Sequence, residues 1–364
     1  MWEPFAYPDG ISRIAEAVRS APSVFGSQPW SLRIVANDRI EVRANFGERD
    51  GVPRGTWAKW TDTTSDPDPL TREFAISCGA ALYNLRLAIR VAGHDLNEWL
   101  LPDPDRDPGL LASVEVVTSR VKAASIAVQE LYEAMWLRHT SRWPFAVPVP
   151  VPLVVEMEAA AARERGWLRL MHKTEVRAWL RAVAQADAAL AEPDTERARA
   201  FRAERDLLLN VAKPSQGPSP EDDRIPITRR DFWLPNLKER FERHPQFMSL
   251  GTDDDTPLGW LRAGKALQRA ILTATRYSMT ARYGLQTADG TASRCGIAVS
   301  FLTQPLEVCD INSVPRRYPW QTWTWYGEIP QMVMRIGYAP VTPAAQAPHR
   351  IRPDVTDARP VPVT

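Results

Sequence analysis

Residues 21–30, Ala21-Pro22-Ser23-Val24-Phe25-Gly26-Ser27-Gln28-Pro29-Trp30, decide how the rest of the chain is read. Pro22 stops the helix signalled by Ile11, Ile14, Ala15 and Val18, and Pro29-Trp30 stiffens the approach to a strand. The small polar groups and backbone amides between these prolines can face one ligand. Downstream, the strand-like runs Ser31–Val35 and Ile40–Ala44, joined by Asn37-Asp38, read as a hairpin. Residues 47–68 are polar and carry Gly and Pro, which predicts a loop. Helical spacing of Phe74, Ala75, Cys78, Leu82, Leu85 and Ile89 predicts a mostly buried helix from Leu70 to His94. Short strands are expected near Glu98–Leu101 and Ser113–Val117, then a helix from Ala123 to His139 that the prolines at 144, 148, 150 and 152 break off.

The second part of the chain predicts a helix at about 153–165, a strand at Trp167–Met171 and an Ala/Arg/Glu-rich helical region at about 174–212. The segment Lys213–Arg224, KPSQGPSPEDDR, is rich in turn residues, and about 188–250 reads as an insertion able to lie over the core as a lid. A long helix is expected from Thr256 to Arg282, with Leu258, Leu261, Ala263, Leu267, Ile271 and Thr275 on its inner face. Gly296–Leu302 and Met332–Gly337 read as strands. The two long helices share Gly79/Gly264, Ala81/Ala266, Leu82/Leu267 and Leu87/Leu272 at one offset of 185 positions (264 minus 79). An offset near half the chain suits duplication and fusion; coincidence between two buried helices is the competing explanation. The expected organisation is a first half at 1–130, a second half at 131–340 carrying the insertion, and a Pro-rich tail at 341–364.

Composition bounds the function. A hydrophobic content of 44% and a charged content of 24% describe a globular chain, neither disordered nor a small disulfide scaffold. Its 45 basic and 44 acidic side chains leave a net charge of +1, so no global field draws the protein to nucleic acid. The 32 prolines among 364 residues exceed the usual ~5% and imply many rigid turns. Cys78, Cys295 and Cys309 make an odd count without CxxC spacing, which argues for reduced thiols in a cytoplasm and against zinc. The start, MWEPFAYPDG, lacks the basic and apolar regions of a signal peptide, and the longest apolar run, Phe145–Val155, is too short to span a bilayer. A cytoplasmic protein without membrane or nucleic-acid partners is expected.

Most standard catalytic constellations are absent: no GxGxxG, Walker loop, HExxH or GxSxG occurs. The five histidines (His94, His139, His172, His244, His349) are scattered, and no metal site is expected. Asp253-Asp254-Asp255 precedes a helix start and reads as capping and dipole compensation. Arg138-His139-Thr140-Ser141-Arg142-Trp143-Pro144-Phe145, at a helix end, is harder to explain by packing. Two guanidinium groups four residues apart, with hydroxyls between them, can converge on one phosphate. A basic helix C-terminus answering the dipole is the alternative.

With these segments in view, the chain resembles the nitroreductase-like flavoproteins, and among them the Acg-type branch in which two nitroreductase halves are fused. The resemblance spans nearly the whole chain. It rests on APSVFGSQPW (21–30), DPLTREFAISCGAALYNLRLA (68–88), RHTSRWPF (138–145), GWLRAGKALQRAILTAT (259–275), SFLTQPLE (300–307) and PQMVMRIGYA (330–339). It implies an α+β nitroreductase-like fold, two fused pseudo-repeat halves around a mixed sheet core, with FMN at the interface between the halves. By the same resemblance, Arg138, Thr140 and Arg142 would hold the FMN phosphate, and Pro22, Ser23 and Gln28 would line the flavin. Leu302 and Gln304 match the stretch facing the flavin N5 edge, and Arg350 and Arg352 resemble C-terminal basic residues of the phosphate pocket. A solvated basic tail is the other reading of that last pair. Each motif appears once, so at most one FMN per chain is expected, with NADPH or NADH as reductant.

The departures from the family pattern bear on function. Phe25-Gly26 stands where the family carries an Asn before Ser-Gln-Pro-Trp, and His139 where a second Arg is frequent. Trp320-Gln321-Thr322-Trp323-Thr324-Trp325-Tyr326 could stack on a flavin or aromatic substrate, or cover a sheet edge. The leading expectation is an FMN-dependent oxidoreductase acting on a small aromatic, a quinone or an intermediate of secondary metabolism, with no catalytic side chain assigned. The alternatives are a non-catalytic FMN storage protein, and a nitroreductase fold that has lost FMN and uses its cleft for another reaction. Because the halves are fused, a monomer is expected.

Overall fold

A computed structural model of the chain describes residues 8–23, 27–45, 69–138, 145, 148–176, 246–284, 297–301, 329–338 and 355–357. In chain order the elements are α1 (Pro8–Arg19), β1 (Trp30–Ala36), β2 (Arg39–Ala44), α2 (Pro69–Val91), β3 (His94–Leu100), β4 (Leu110–Val121), α3 (Ile126–Leu137) and α4 (Val151–Ala162). They continue with β5 (Trp167–Leu170), β6 (Gln246–Thr252), α5 (Pro257–Gly284), β7 (Ile297–Phe301), β8 (Ile329–Tyr338) and β9 (Val355–Asp357). The chain divides into two compact units. Met1–Trp136, Thr256–Arg269 and Ile351–Thr364 form the first; Leu137–Asp255 and Ala270–Arg350 form the second.

In the first unit, Asp9 in the opening turn of α1 and Arg19 in its last turn complement the helix dipole, while Ile14, Ala15, Ala17 and Val18 are buried. Trp30, Leu32 and Ile34 of β1 and Ile40 and Val42 of β2 alternate inward, and Val114 and Val116 of β4 join them. The five strands run in the order β3-β4-β2-β1-β9, with β9 parallel to β1 and the other neighbours antiparallel. Arg33–Glu41, Arg43–Glu41 and Arg43–Asp107 are ion pairs at or near its other face, each of the kind worth roughly 0–1 kcal/mol in contact with water. Among the described helices, the stretch Arg72–Val91 within α2 is long and apolar enough to cross a membrane, but 83% of that window is buried inside the protein. It is a core helix.

The second unit carries an antiparallel sheet of order β5-β6-β8-β7. Both faces of its central strands are covered: Phe247 through Thr252 are buried along β6, and Val333 through Gly337 along β8. Taken from its β7 edge, the order β7-β8-β6-β5 repeats β3-β4-β2-β1. The described elements also recur in sequence, as α1-β1-β2-α2-β3-β4 and then α4-β5-β6-α5-β7-β8.

The described strands make two sheets, and the five-stranded one is mixed because β9 pairs parallel with β1. Two expectations need correction. The end of the insertion expected at about 188–250 is core, because residues 246–250 belong to β6; burial on both faces erases the period-two pattern that would have marked a strand. The remainder of that insertion, 188–245, lies outside the described residues. The tail expected at 341–364 contains β9, whose Val355, Thr356 and Asp357 pair with Leu32, Arg33 and Ile34.

Candidate functional site

The connection from α1 to β1, Ser20–Pro29, holds the first group of expected site residues. Pro22, Ser23 and Gln28 are half-buried. Gln28 has φ 49°, a left-handed conformation that a side chain disfavours, and the following Pro29 restricts it further. Hydrogen bonds hold it there. The Gln28 backbone N–H donates to Ser23 Oγ (3.1 Å), its side-chain Nε2 donates to the Arg19 carbonyl (3.4 Å), and Trp30 N–H donates to the Gln28 carbonyl (2.7 Å). The Gln28 amide nitrogen thus braces its own loop. Ser27 Oγ is buried and has no hydrogen-bond partner among the described residues.

Two residues of α2 grip this connection from the core side. The Cys78 thiol donates to the Pro29 carbonyl (3.2 Å), and burial pushes this thiol well above its ordinary pKa. Asn84 Nδ2 donates to the Ala17 carbonyl (2.8 Å) and to Ser20 Oγ (3.0 Å) at the end of α1, while its Oδ1 accepts from Gln268 Nε2 of α5 (2.7 Å). Sequence reading missed Asn84 and Gln268. Their signal was a polar residue inside each apolar helix, close to the shared offset.

The crossing of α2 and the first part of α5 is reciprocal. A Cβ on Gly79 would overlap the Leu261 carbonyl, and one on Gly264 would overlap the Ile76 carbonyl, so the two backbones touch. Likewise Arg269 lies over the Tyr83 ring (5.9 Å) while Gln268 bonds Asn84. In each case the two contacts exchange places under the 185-position offset seen in the sequence.

Arg138 follows the end of α3 and belongs to the second unit. Desolvation lowers its guanidinium to about 10. Thr140 and Arg142, Leu302 and Gln304, and Arg350 and Arg352 lie outside the described residues, as do Phe25, Gly26, His139 and the Trp320–Tyr326 segment. In the same unit Arg335 of β8 stacks on Phe145 (4.1 Å to the ring centroid), made possible by Gly337, where a Cβ would collide with that ring. Burial lowers Arg335 to about 9. Its sequence signal was the single charge within the apolar PQMVMRIGYA run. Among the described residues no group of three or more His, Cys, Asp or Glu is disposed to hold a metal.

The second unit has a shorter counterpart of the first unit's connection. Ten residues, Ser20–Pro29, link α1 to β1, whereas four, Arg163–Gly166, link α4 to β5. Both end alike: Gln28 (φ 49°) and Arg165 (φ 59°) each stand two positions before a strand that opens with Trp.

No family model matches the chain. Relatives do. The Mycobacterium tuberculosis protein named "Putative NAD(P)H nitroreductase Rv3131" is 28% identical over 342 residues, 92% of this chain and 87% of that protein. The chain is thus similar, at 28% identity, to a protein named as a putative nitroreductase. A second M. tuberculosis protein, "Putative NAD(P)H nitroreductase acg", is 27% identical over 282 residues, 73% of this chain and 77% of its own. A third, "Uncharacterized protein Rv3127", is 26% identical over 347 residues, 92% and 88% respectively. The similarity to these proteins extends over most of the chain.

Proposed function

We propose that this nitroreductase-like chain is an FMN-dependent oxidoreductase that binds one FMN per chain and reduces or oxidises a small aromatic, quinone or biosynthetic substrate. NADPH or NADH would supply the electrons. The observation that carries the reading is the Ser20–Pro29 connection, a braced loop with a left-handed Gln28 and a buried Ser27 hydroxyl left without a partner among the described residues. Strained backbone held by surrounding bonds is characteristic of ligand sites, and an orphaned buried hydroxyl suits a polar edge of a bound ring.

Arg138 and the Ser20–Pro29 connection support FMN as the group bound. Arg138, with its charge already partly desolvated, would pair with the phosphate, since a guanidinium forms strong charge-assisted bonds to phosphate oxygens. Pro22, Ser23 and Ser27 would orient the ring, and Thr140, Arg142, Leu302, Gln304, Arg350 and Arg352 are proposed contributors on the family resemblance. FMN when bound supplies the hydride and electron transfer, and the protein's part is orientation and electrostatics. The repeated strand order, the reciprocal helix crossing and the matching left-handed residues before Trp30 and Trp167 support an origin by duplication and fusion. The four-residue α4–β5 link supports a single flavin per chain, because the second unit lacks a full-length loop.

The test is a visible spectrum of the purified chain before and after adding FMN, then NADPH. Flavin bands that bleach with NADPH are expected. Bands that persist would indicate storage or another reductant, and failure to bind FMN at all would overturn the assignment.

A further inference from the structure

Building on the reading of Ser20–Pro29 as a flavin-facing loop, we propose that Asn84 is a positioning residue for that loop and that Gln268 locks it in place. The last carbonyls of any helix lack partners within the helix and must find them elsewhere. In α1 the Ala17 carbonyl finds them in Ser20 N–H (3.2 Å), Ser20 Oγ (2.8 Å) and Asn84 Nδ2 (2.8 Å). The next anchor is the Arg19 carbonyl, which receives Gln28 Nε2 from the far end of the loop. Both ends of the loop therefore converge on a helix terminus that a side chain from α2 holds.

The choice of side chain follows from donor and acceptor count. An asparagine amide offers two N–H donors and one acceptor oxygen. Ala17 O only accepts, so Nδ2 must face α1, and Oδ1 then faces α5. Gln268 Nε2 meets it at 2.7 Å, which fixes the amide against a flip. Asn84 and Gln268 are both fully buried, so no water substitutes for a lost bond. Aspartate at 84 keeps the acceptor toward Gln268 and loses the donors toward α1. Methionine at 268 removes only the lock.

The full-length chain is tested in three variants, Asn84→Asp, Gln268→Met and, as a core control, Ile40→Val. Hydrogen exchange of peptides covering residues 20–30 and FMN affinity by fluorescence quenching are measured for each, alongside Tm. Asn84→Asp is expected to speed loop exchange and weaken FMN binding by at least about tenfold each, because both bonds donated by Asn84 Nδ2 are lost. Gln268→Met is expected to move both in the same direction, about threefold. Ile40→Val should lower Tm and leave both readouts alone. If Asn84→Asp does not fold, Gln268→Met against Ile40→Val decides. Loop exchange that rises no more in the variants at 84 and 268 than in Ile40→Val overturns the proposal. Should the wild-type chain bind no FMN, the flavin reading fails, and exchange of residues 20–30 still decides whether Asn84 positions the loop.

Discussion

Gly79 and Gly264 meet where α2 crosses α5, and a methyl group on either would run into a carbonyl of the facing helix. Alanine in a helix interior ordinarily stabilises by roughly 0.5–1 kcal/mol over glycine. Here the sign reverses: Gly264→Ala is expected to cost about 2–4 kcal/mol, since the obstacle is backbone and cannot swing aside. Urea unfolding measures it, and a neutral or stabilising result would contradict the close crossing. His94 is a second residue with a definite expectation. It is 3% exposed, and burial lowers its pKa below the ordinary 6.5. Below that value the unfolded chain takes up the proton more readily than the fold, so stability falls as pH drops through the unfolded-state pKa. Comparing urea midpoints at pH 7.5 and 5.5, His94→Gln should show a shallower loss than the wild type; equal slopes would refute the role.

At the level of elements, α5 is pinned to the edge strand β3 by Lys265 and Glu98, whose side chains are only 9% and 12% exposed. An inward-pointing charge on an edge strand discourages pairing with another chain. It also makes the pair fragile to single substitution. Lys265→Met should cost about 3–5 kcal/mol by stranding the carboxylate, whereas Lys265→Met with Glu98→Leu should recover most of it, because two buried charges are then absent together. Thermal unfolding of the four members of this cycle checks the expectation, and additive losses would exclude a coupled pair. The same element carries Gln268, so its first half contributes both the ion pair and the lock on Asn84.

For the whole molecule, the proposed function, with one loop of full length and one Arg138 motif, predicts one flavin per chain. Titration followed by absorbance should saturate at one FMN per polypeptide, and a ratio of two would reject the single-site proposal. Arg138→Ala is expected to weaken FMN about 10–150-fold, the range for a charge-assisted bond removed from a partly desolvated site. Unchanged affinity would sink the phosphate assignment. If the proposed duplication and fusion holds, the chain is expected to migrate as a monomer in sizing chromatography.

Much of the secondary structure could be read from the residues themselves. The β1–β2 hairpin announced itself by alternation about Asn37-Asp38, α2 and α5 by helical spacing of apolar side chains, and the α1 stop by Pro22. These are local signals, carried by periodicity and by the backbone limits of proline. The 185-position echo between Gly79 and Gly264 was legible too, but not that the two glycines touch. Contacts between distant segments depend on how the chain closes on itself, so only the tertiary structure paired β9 with β1 and placed β6 at the centre of its sheet. It likewise decided that Gln28 braces the loop and that Asn84, an unremarked residue in an apolar helix, holds the end of α1. A buried amide has no periodicity to betray it; its role is set by the donors and acceptors that folding brings within reach.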